Sequence, residues 1–435
     1  MTLLESYKDR LAVSENMYRN ANNGSKMNTS RKICIAQCLE NVNKFLTENF
    51  NSSVGTQRSD LGLYKKFCLN LVTCALPNLI APEVVVVSPM TSMSGNIAYV
   101  KYVSANTKGA TTAGTLLNDP FRLGSVDPNF TSDRIAETHT AVENDGVVTI
   151  TLDWAPIVDG SVILKVGTTA VTDFTVDTAT GVVTINAGAS AGDDVKALYS
   201  YDNFVVPQAK LPMLRAEMAN IPLQAKARRI AIYYSNLAAY QAKQDYGFDL
   251  GDQLAEKAVG QIQWEIDTEV TNLLSEIATE EANLVWSKTL PIGVSKQEHY
   301  AGFSEILTLG TVNIYKKTKR YSANYIICAP DVISVLQYVP GFQAAAGGIK
   351  NGPYFAGTVN GLKIFVTPEY EDGKFVIGVN GDALEASAAV YAPYMPVVPT
   401  QLLQYADGGT SQGWSTLYDL KPLNADLVVS GRICN

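Results

Sequence analysis

The sequence predicts an α+β chain that carries a separate β-sandwich as an insertion. Three observations support this. A proline-free stretch after residue 223 holds apolar residues every three to four positions over about thirty residues. Residues 135–203 instead read as short alternating strands divided by turns. Strand-like sequence also stands on both sides of that block, near 97–103 and again over 214–234, so the block interrupts one structure and does not end it.

The chain has 435 residues, enough for two to four structural units with a sizeable core. Hydrophobic residues make up 46% and charged residues 17%, well under the usual ~25%, so much of the surface is expected to be covered by sister copies. Net charge is -8, the wrong sign for a protein whose main task is to grip nucleic-acid phosphates. The N-terminus is charged from Glu5 onward and has no secretory signal pattern. The most apolar stretches, 79–87 and 386–398, contain Pro82 and Glu83, and Pro393 and Pro396, and both fall short of the ~20 residues of a membrane helix.

Residues 1–75 mix amphipathic pieces with Asn, Ser and Gly, and 33–45 has a helical period. This is expected to be an arm that buries little of itself and is ordered by lying on neighbouring subunits, with a floppy tail as the alternative. Residues 84–87 then read as a buried strand, 97–103 as a second strand, and NTKGATTAGTLLNDP as a flexible loop or boundary.

Within 135–203, VVTITLD, SVILKV, FTVD, VVTIN and DVKALYSYD alternate with Gly- and Asp-rich turns, the spacing of a small immunoglobulin-like sandwich. It holds no cysteine. Asp249 is placed to cap the long helix, 249–279, whose stripe is Leu250, Leu254, Ala258, Ile262, Ile266, Val270, Leu273 and Ile277. Beyond it, 325–329, 363–367 and 375–379 read as strands and 330–338 as a short helix.

The search for chemistry finds no complete constellation. Gly409-Thr410-Ser411-Gln412-Gly413 satisfies GxSxG, but no histidine follows it, and DGGTSQG reads as a surface loop. Phosphate-loop and dinucleotide motifs are missing. His139 and His299 lie far apart with no cysteine beside either, and the six cysteines show no CxxC, so no metal, cofactor or disulfide framework is expected. Paired carboxylates such as Glu265 with Glu269, and Glu280 with Glu281, read as a solvated helical face. The basic spots Arg228-Arg229 and Lys316-Lys317-Lys319-Arg320 could meet an acidic neighbour subunit, a nucleic-acid lining or solvent, and salt bridges between subunits are the preferred reading. An enzyme is therefore not expected, and a lattice subunit is.

Leu76-Pro77-Asn78-Leu79-Ile80-Ala81, then Ser88-Pro89-Met90-Thr91 and Ser94-Gly95-Asn96-Ile97, resemble the PNLIA, QPM and PTGQ signature of T-even-type major capsid proteins of tailed phages. Tyr234-Ser235, Gly247, Asp249, Glu265-Ile266-Asp267 and Glu269-Val270 keep that order. So do Asn324-Tyr325-Ile326-Ile327, Phe355-Ala356-Gly357, Gly361, Gly378 and Tyr391-Ala392-Pro393-Tyr394 with Pro399.

The resemblance implies the Hong Kong 97-like capsid fold. It divides this chain into an arm (1–75), a first peripheral strand (76–93), and an extended loop (94–134 and 204–235) interrupted by the sandwich (135–203). A peripheral domain (236–299) with the spine helix, an axial domain (300–395) and C-terminal peripheral strands (396–435) follow. It also implies hexameric capsomers tiling an icosahedral shell around double-stranded DNA, with vertex, portal, scaffold and decoration proteins as partners and no membrane. A pentameric vertex protein, or a cellular nanocompartment shell, is the alternative of the same fold. Sugar binding by the sandwich has thin support, because Trp154 is its only tryptophan. The family is trimmed after Leu-x-Glu, which Leu46-Thr47-Glu48 matches; an uncleaved arm is expected, with Glu48-Asn49 the alternative scissile pair.

Overall fold

The computed structural model describes residues 3–21, 25–50, 69, 73, 79–109, 111–118, 129–144, 146–204, 211–247, 249–345, 352–381, 383–400, 403–406 and 408–434. Two units emerge: residues 1–97 with 221–435, and residues 98–220.

The first unit is organised by two sheets and one long helix. Its larger sheet has seven strands in the order Thr279–Ser287, Val428–Cys434, Lys374–Gly378, Tyr325–Cys328, Leu362–Val366, Tyr354–Val359 and Gln343–Ala344. Tyr325–Cys328 is buried at every position, which explains its unbroken apolar sequence: a strand covered on both faces has no polar side to alternate with. Phe303 on helix Phe303–Thr318 meets Phe375 of this sheet edge-on, with ring centroids 5.5 Å apart.

The second sheet runs Val86–Val87, Ala389–Pro399, Gly409–Pro422, Lys226–Ser235, with Leu403–Gln404 pairing to Gly409–Pro422. Ala389–Pro399 tolerates Pro393 and Pro396 because its register shifts between Pro393 and Met395 and again before Val398. The expected boundary at 395/396 divides this continuous strand, and the C-terminal strand Val428–Cys434 lies inside the larger sheet beside Lys374–Gly378. Strand membership joins residues far apart in sequence, so a sequential boundary could not follow it.

The spine helix is Leu250–Ile277, with the Asp249 side chain accepting from Gly251 N at 2.9 Å. Ala258, Ile262, Ile266 and Val270 of the expected stripe are buried, and Leu274 is buried one position past Leu273.

The arm departs from expectation. Helices Lys8–Ala21 and Thr29–Phe50 pack on their own chain, with Cys34, Ile35, Cys38, Leu39, Val42 and Leu46 buried in the main core. Asn41 Nδ2 donates to Met90 O at 2.7 Å and to Tyr394 O at 2.8 Å, so its helix is pinned to strand Ala389–Pro399. Stretch 84–87 also differs from a plain strand: Pro82 starts a short helix, Ala81–Val84, before Val86–Val87. Leu76-Pro77-Asn78 lies outside the described residues.

In the second unit, two four-stranded antiparallel sheets enclose a core containing Ile135, Ile150, Trp154, Leu164, Val183, Val195 and Tyr199. One is ordered Val142–Asn144, Val147–Thr151, Val182–Ala187, Asp173–Val176; the other, Arg134–Thr140, Asp194–Ser200, Ile163–Val166, Thr169–Val171. The first and last strands pair side by side, from Arg134 opposite Ser200 to Thr140 opposite Asp194. Outside the sandwich, Ser94–Ser104 pairs with Leu214–Gln224 and with Leu116–Asn118.

Within the stretch read as a flexible loop or boundary, Lys108 is tied down. Lys108 is 1% exposed, and its ammonium donates to Phe130 O at 3.0 Å, to Ser132 O, and to the Tyr201 hydroxyl at 3.1 Å. The ammonium also lies 5.0 Å from the Tyr201 ring centre. A buried cation needs such a full set of acceptors, and the oxygens that supply it come from residues 22 to 93 positions away.

Candidate assembly surface

The basic spots hold residues engaged within the chain and residues exposed at its surface. On strand Lys226–Ser235, Arg228 reaches the spine helix: Nη1 donates to Glu265 Oε2 at 3.2 Å and Nη2 to Glu269 Oε2 at 2.7 Å. The Tyr418 hydroxyl donates to Glu269 as well, and the guanidinium stands 5.8 Å from that ring's centre. Arg228 is thus engaged internally, and Glu265 with Glu269 form its docking pair, not a purely solvated face. Arg229, one position on, is exposed, and among the described residues no ion pair holds it.

Helix Phe303–Thr318 ends in the second cluster, where cations complement the negative end of the helix dipole. Lys317 pairs with Glu281 at 2.5 Å, while Lys316, Lys319 and Arg320 are exposed. Lys319 ends the helix in the left-handed region at φ 55°. The outward cations are therefore Arg229, Lys316 and Lys319.

Glu48 is exposed near the end of Thr29–Phe50, and the bond after it lies within that helix while Leu46 is buried. The GxSxG residues also differ from the expected loop: Gly409 to Gly413 lie in strand Gly409–Pro422, with Ser411 opposite both Tyr233 and Leu403. No strand-to-helix elbow presents Ser411.

Two internal junctions went unread in the sequence. Glu83 accepts from Arg31 Nη1 at 2.7 Å, from the Tyr18 hydroxyl at 2.7 Å and from Lys363 Nζ at 2.7 Å. Burial pushes this carboxyl upward, but Lys363 and Arg31 outweigh it and hold the group below its usual range. Glu83, Tyr18, Arg31 and Lys363 line a cavity of about 320 Å³. Asp267 is the second junction: its Oδ1 accepts from Ile80 N at 3.0 Å and Ala81 N at 2.9 Å, holding the start of helix Ala81–Val84. Burial raises its carboxyl to about 7, against the downward pull of those two N–H groups and Arg31. The signal for Asp267 was available, since an acid adjoining Ile266 sits on an otherwise apolar stripe.

Two sheets and a long helix in the first unit, and a two-sheet sandwich in the second, make this an α+β protein. Residues 62–425 match the family described as "Major capsid protein Gp23", and the chain belongs to that family, of the T-even type. Similar curated proteins are the major capsid proteins of Vibrio phage KVP40, 24% identical over 41% of this chain and 39% of that one, and of Enterobacteria phage T4, 24% identical over 46% and 42%. The matches thus span about two fifths of those relatives' lengths.

Among solved structures, the mature capsid of bacteriophage PhiM1 is similar over 53% of this chain and 77% of that chain, at 12% identity and a TM-score of 0.36. The capsid of Myoviridae phage XM1 covers 67% and 89%, at 9% identity and 0.34. The SrpI encapsulin of Synechococcus elongatus covers 53% and 79%, at 13% and 0.31. Among the described residues, no helix is long and apolar enough to cross a membrane.

Proposed function

We propose that this chain is the major capsid subunit of a tailed bacteriophage, self-assembling as hexameric capsomers into an icosahedral shell around double-stranded DNA. The observation that carries this reading is the family match across residues 62–425. The strands that flank the sandwich support it: Val100, Tyr102, Leu214 and Met218 are exposed, Met218 at 81%, and apolar side chains so displayed gain free energy when a neighbour covers them. Sister copies are the partners of that surface, and Arg229, Lys316 and Lys319 supply outward cations for acidic neighbours. Portal, vertex, scaffold and decoration proteins complete the partner set.

The sandwich is immunoglobulin-like in a permuted sense. Its sheet Val142–Asn144, Val147–Thr151, Val182–Ala187, Asp173–Val176 follows the immunoglobulin A-B-E-D order. In the other sheet, the leading strand Arg134–Thr140 takes the place beside Asp194–Ser200 that a last strand G would fill. The arm stays uncleaved because a protease needs an extended segment, and the Glu48-Asn49 bond is helical.

Electron microscopy of purified particles tests the assignment, with six-fold capsomers as the expected result. Pentamers at vertices alone would assign the chain to the vertex role, and a shell with protein cargo in place of DNA would assign it to a nanocompartment. Loss of the first 48 residues from the virion protein by intact mass would overturn the uncleaved arm.

A further inference from the structure

The sandwich contains a polar cluster that lies apart from the cations and apolar side chains assigned above to assembly. Strand Arg134–Thr140 puts Ile135, Glu137 and His139 on one face, and Ile135 is in the core, so an imidazole and a carboxylate point between the two sheets. Their side chains are 19% exposed for His139 and 7% for Glu137. Asp153 follows strand Val147–Thr151 of the opposite sheet, and one ligand atom from each of the three residues lies within 4.8 Å of the others.

We propose that Glu137, His139 and Asp153 form a divalent-cation site, best suited to Zn2+, that ties the two sheets of the sandwich together. The donor set is one imidazole nitrogen and two carboxylate oxygens, which a borderline ion such as zinc accepts at ~2.0–2.2 Å. Ligand atoms at that distance in a tetrahedral shell stand roughly 3.4 Å apart, and His139 Nε2 and Glu137 Oε2 are already at 3.0 Å. Asp153 is exposed at the rim, so a small side-chain movement completes a three-ligand set with one open position.

The carboxylate is held ready. Tyr199, itself buried, donates its hydroxyl to Glu137 Oε2 at 2.9 Å, the kind of outer partner that fixes a metal ligand's orientation. Binding replaces the proton shared between His139 Nε2 and Glu137 Oε2, and that proton leaves to solvent. The sandwich has no cysteine, so an ion bridging Arg134–Thr140 to the segment after Val147–Thr151 supplies the cross-link that a disulfide supplies elsewhere.

The test uses the full chain and Zn2+ alone. Wild type, His139→Gln and Asp153→Asn are loaded, freed of excess metal by gel filtration and assayed for zinc per chain, with melting measured in zinc and in a chelator. The expected result is one tightly held equivalent in wild type and a higher melting temperature in zinc, both lost in each variant. The variants should melt like wild type in the chelator, which separates lost binding from misfolding. Replacement by Co2+ should give a spectrum without a thiolate charge-transfer band. Absence of retained zinc in wild type, equal retention in the variants, or a thiolate band would each overturn the site.

Discussion

Replacing Asp267 separates its two jobs, accepting hydrogen bonds and carrying charge. Both N–H donors, from Ile80 and Ala81, go to the same atom, Oδ1, and the residue is 6% exposed. Asp267→Ala leaves two buried donors without a partner, and at ~1–3 kcal/mol for each such group the loss should be about 2–6 kcal/mol. Asp267→Asn keeps an oxygen at that position and removes the ionisable group, so near pH 5 it should stay within ~1 kcal/mol of wild type.

The pH dependence follows from the raised carboxyl. Between 3.8 and about 7 the folded chain holds a proton that the unfolded chain has released. Its stabilisation is therefore complete below the unfolded value and is lost as pH rises through the folded one, a change of up to ~4 kcal/mol. Urea unfolding of the subunit at about pH 5 and about pH 8 should show a steeper loss for wild type than for Asp267→Asn, which at the higher pH should match or exceed wild type. If the Asn and Ala variants were equally destabilised, or if Ala cost under ~1 kcal/mol, the hydrogen-bond reasoning would be refuted.

Glu83→Ala removes the carboxylate that Arg31 pairs with in a buried setting and should cost about 3–5 kcal/mol in subunit stability by denaturant titration. Because the Glu83 carboxyl is depressed, its contribution should also fade in wild type as pH drops through the folded value, read from the same titrations. Lys108→Met deprives Phe130 O and Ser132 O of their donor and should lower stability by ~1–3 kcal/mol, with amide exchange quickening near 129–132. Gly310→Ala would put a methyl 2.5 Å from Ile377 Cδ1 between helix Phe303–Thr318 and strand Lys374–Gly378, an overpacking cost of ~1–3 kcal/mol by melting. Arg229→Glu should leave subunit folding within ~0.5 kcal/mol of wild type yet reduce particle yield by sedimentation.

Local signals were legible wherever the physics is local. Asp249 and the stripe through Ile262, Ile266 and Val270 mark the spine helix because capping and periodicity act within a few residues. The short strands of the sandwich announced themselves the same way. Partners chosen at long range were not visible: Asn41 meets Tyr394 across 353 positions, so the arm looked unable to cover itself. Arg228 finds Glu265 and Glu269 at separations of 37 and 41, which left it looking available to a neighbour. Likewise, Glu137 and His139 form a visible alternate pair, but Asp153 joins them only after the chain has crossed to the opposite sheet.

The side-by-side pairing of Arg134–Thr140 with Asp194–Ser200 has a further consequence. Neighbouring strand residues stand only about 5 Å apart, so the module starts and finishes at nearly the same point. A guest whose own ends lie equally close could be spliced between Arg134 and Ser200 without stretching the polypeptide around it. Viral lineages, and engineers who display antigens or enzymes on particles, thus have at this spot a socket whose contents can be exchanged while the host chain keeps its path.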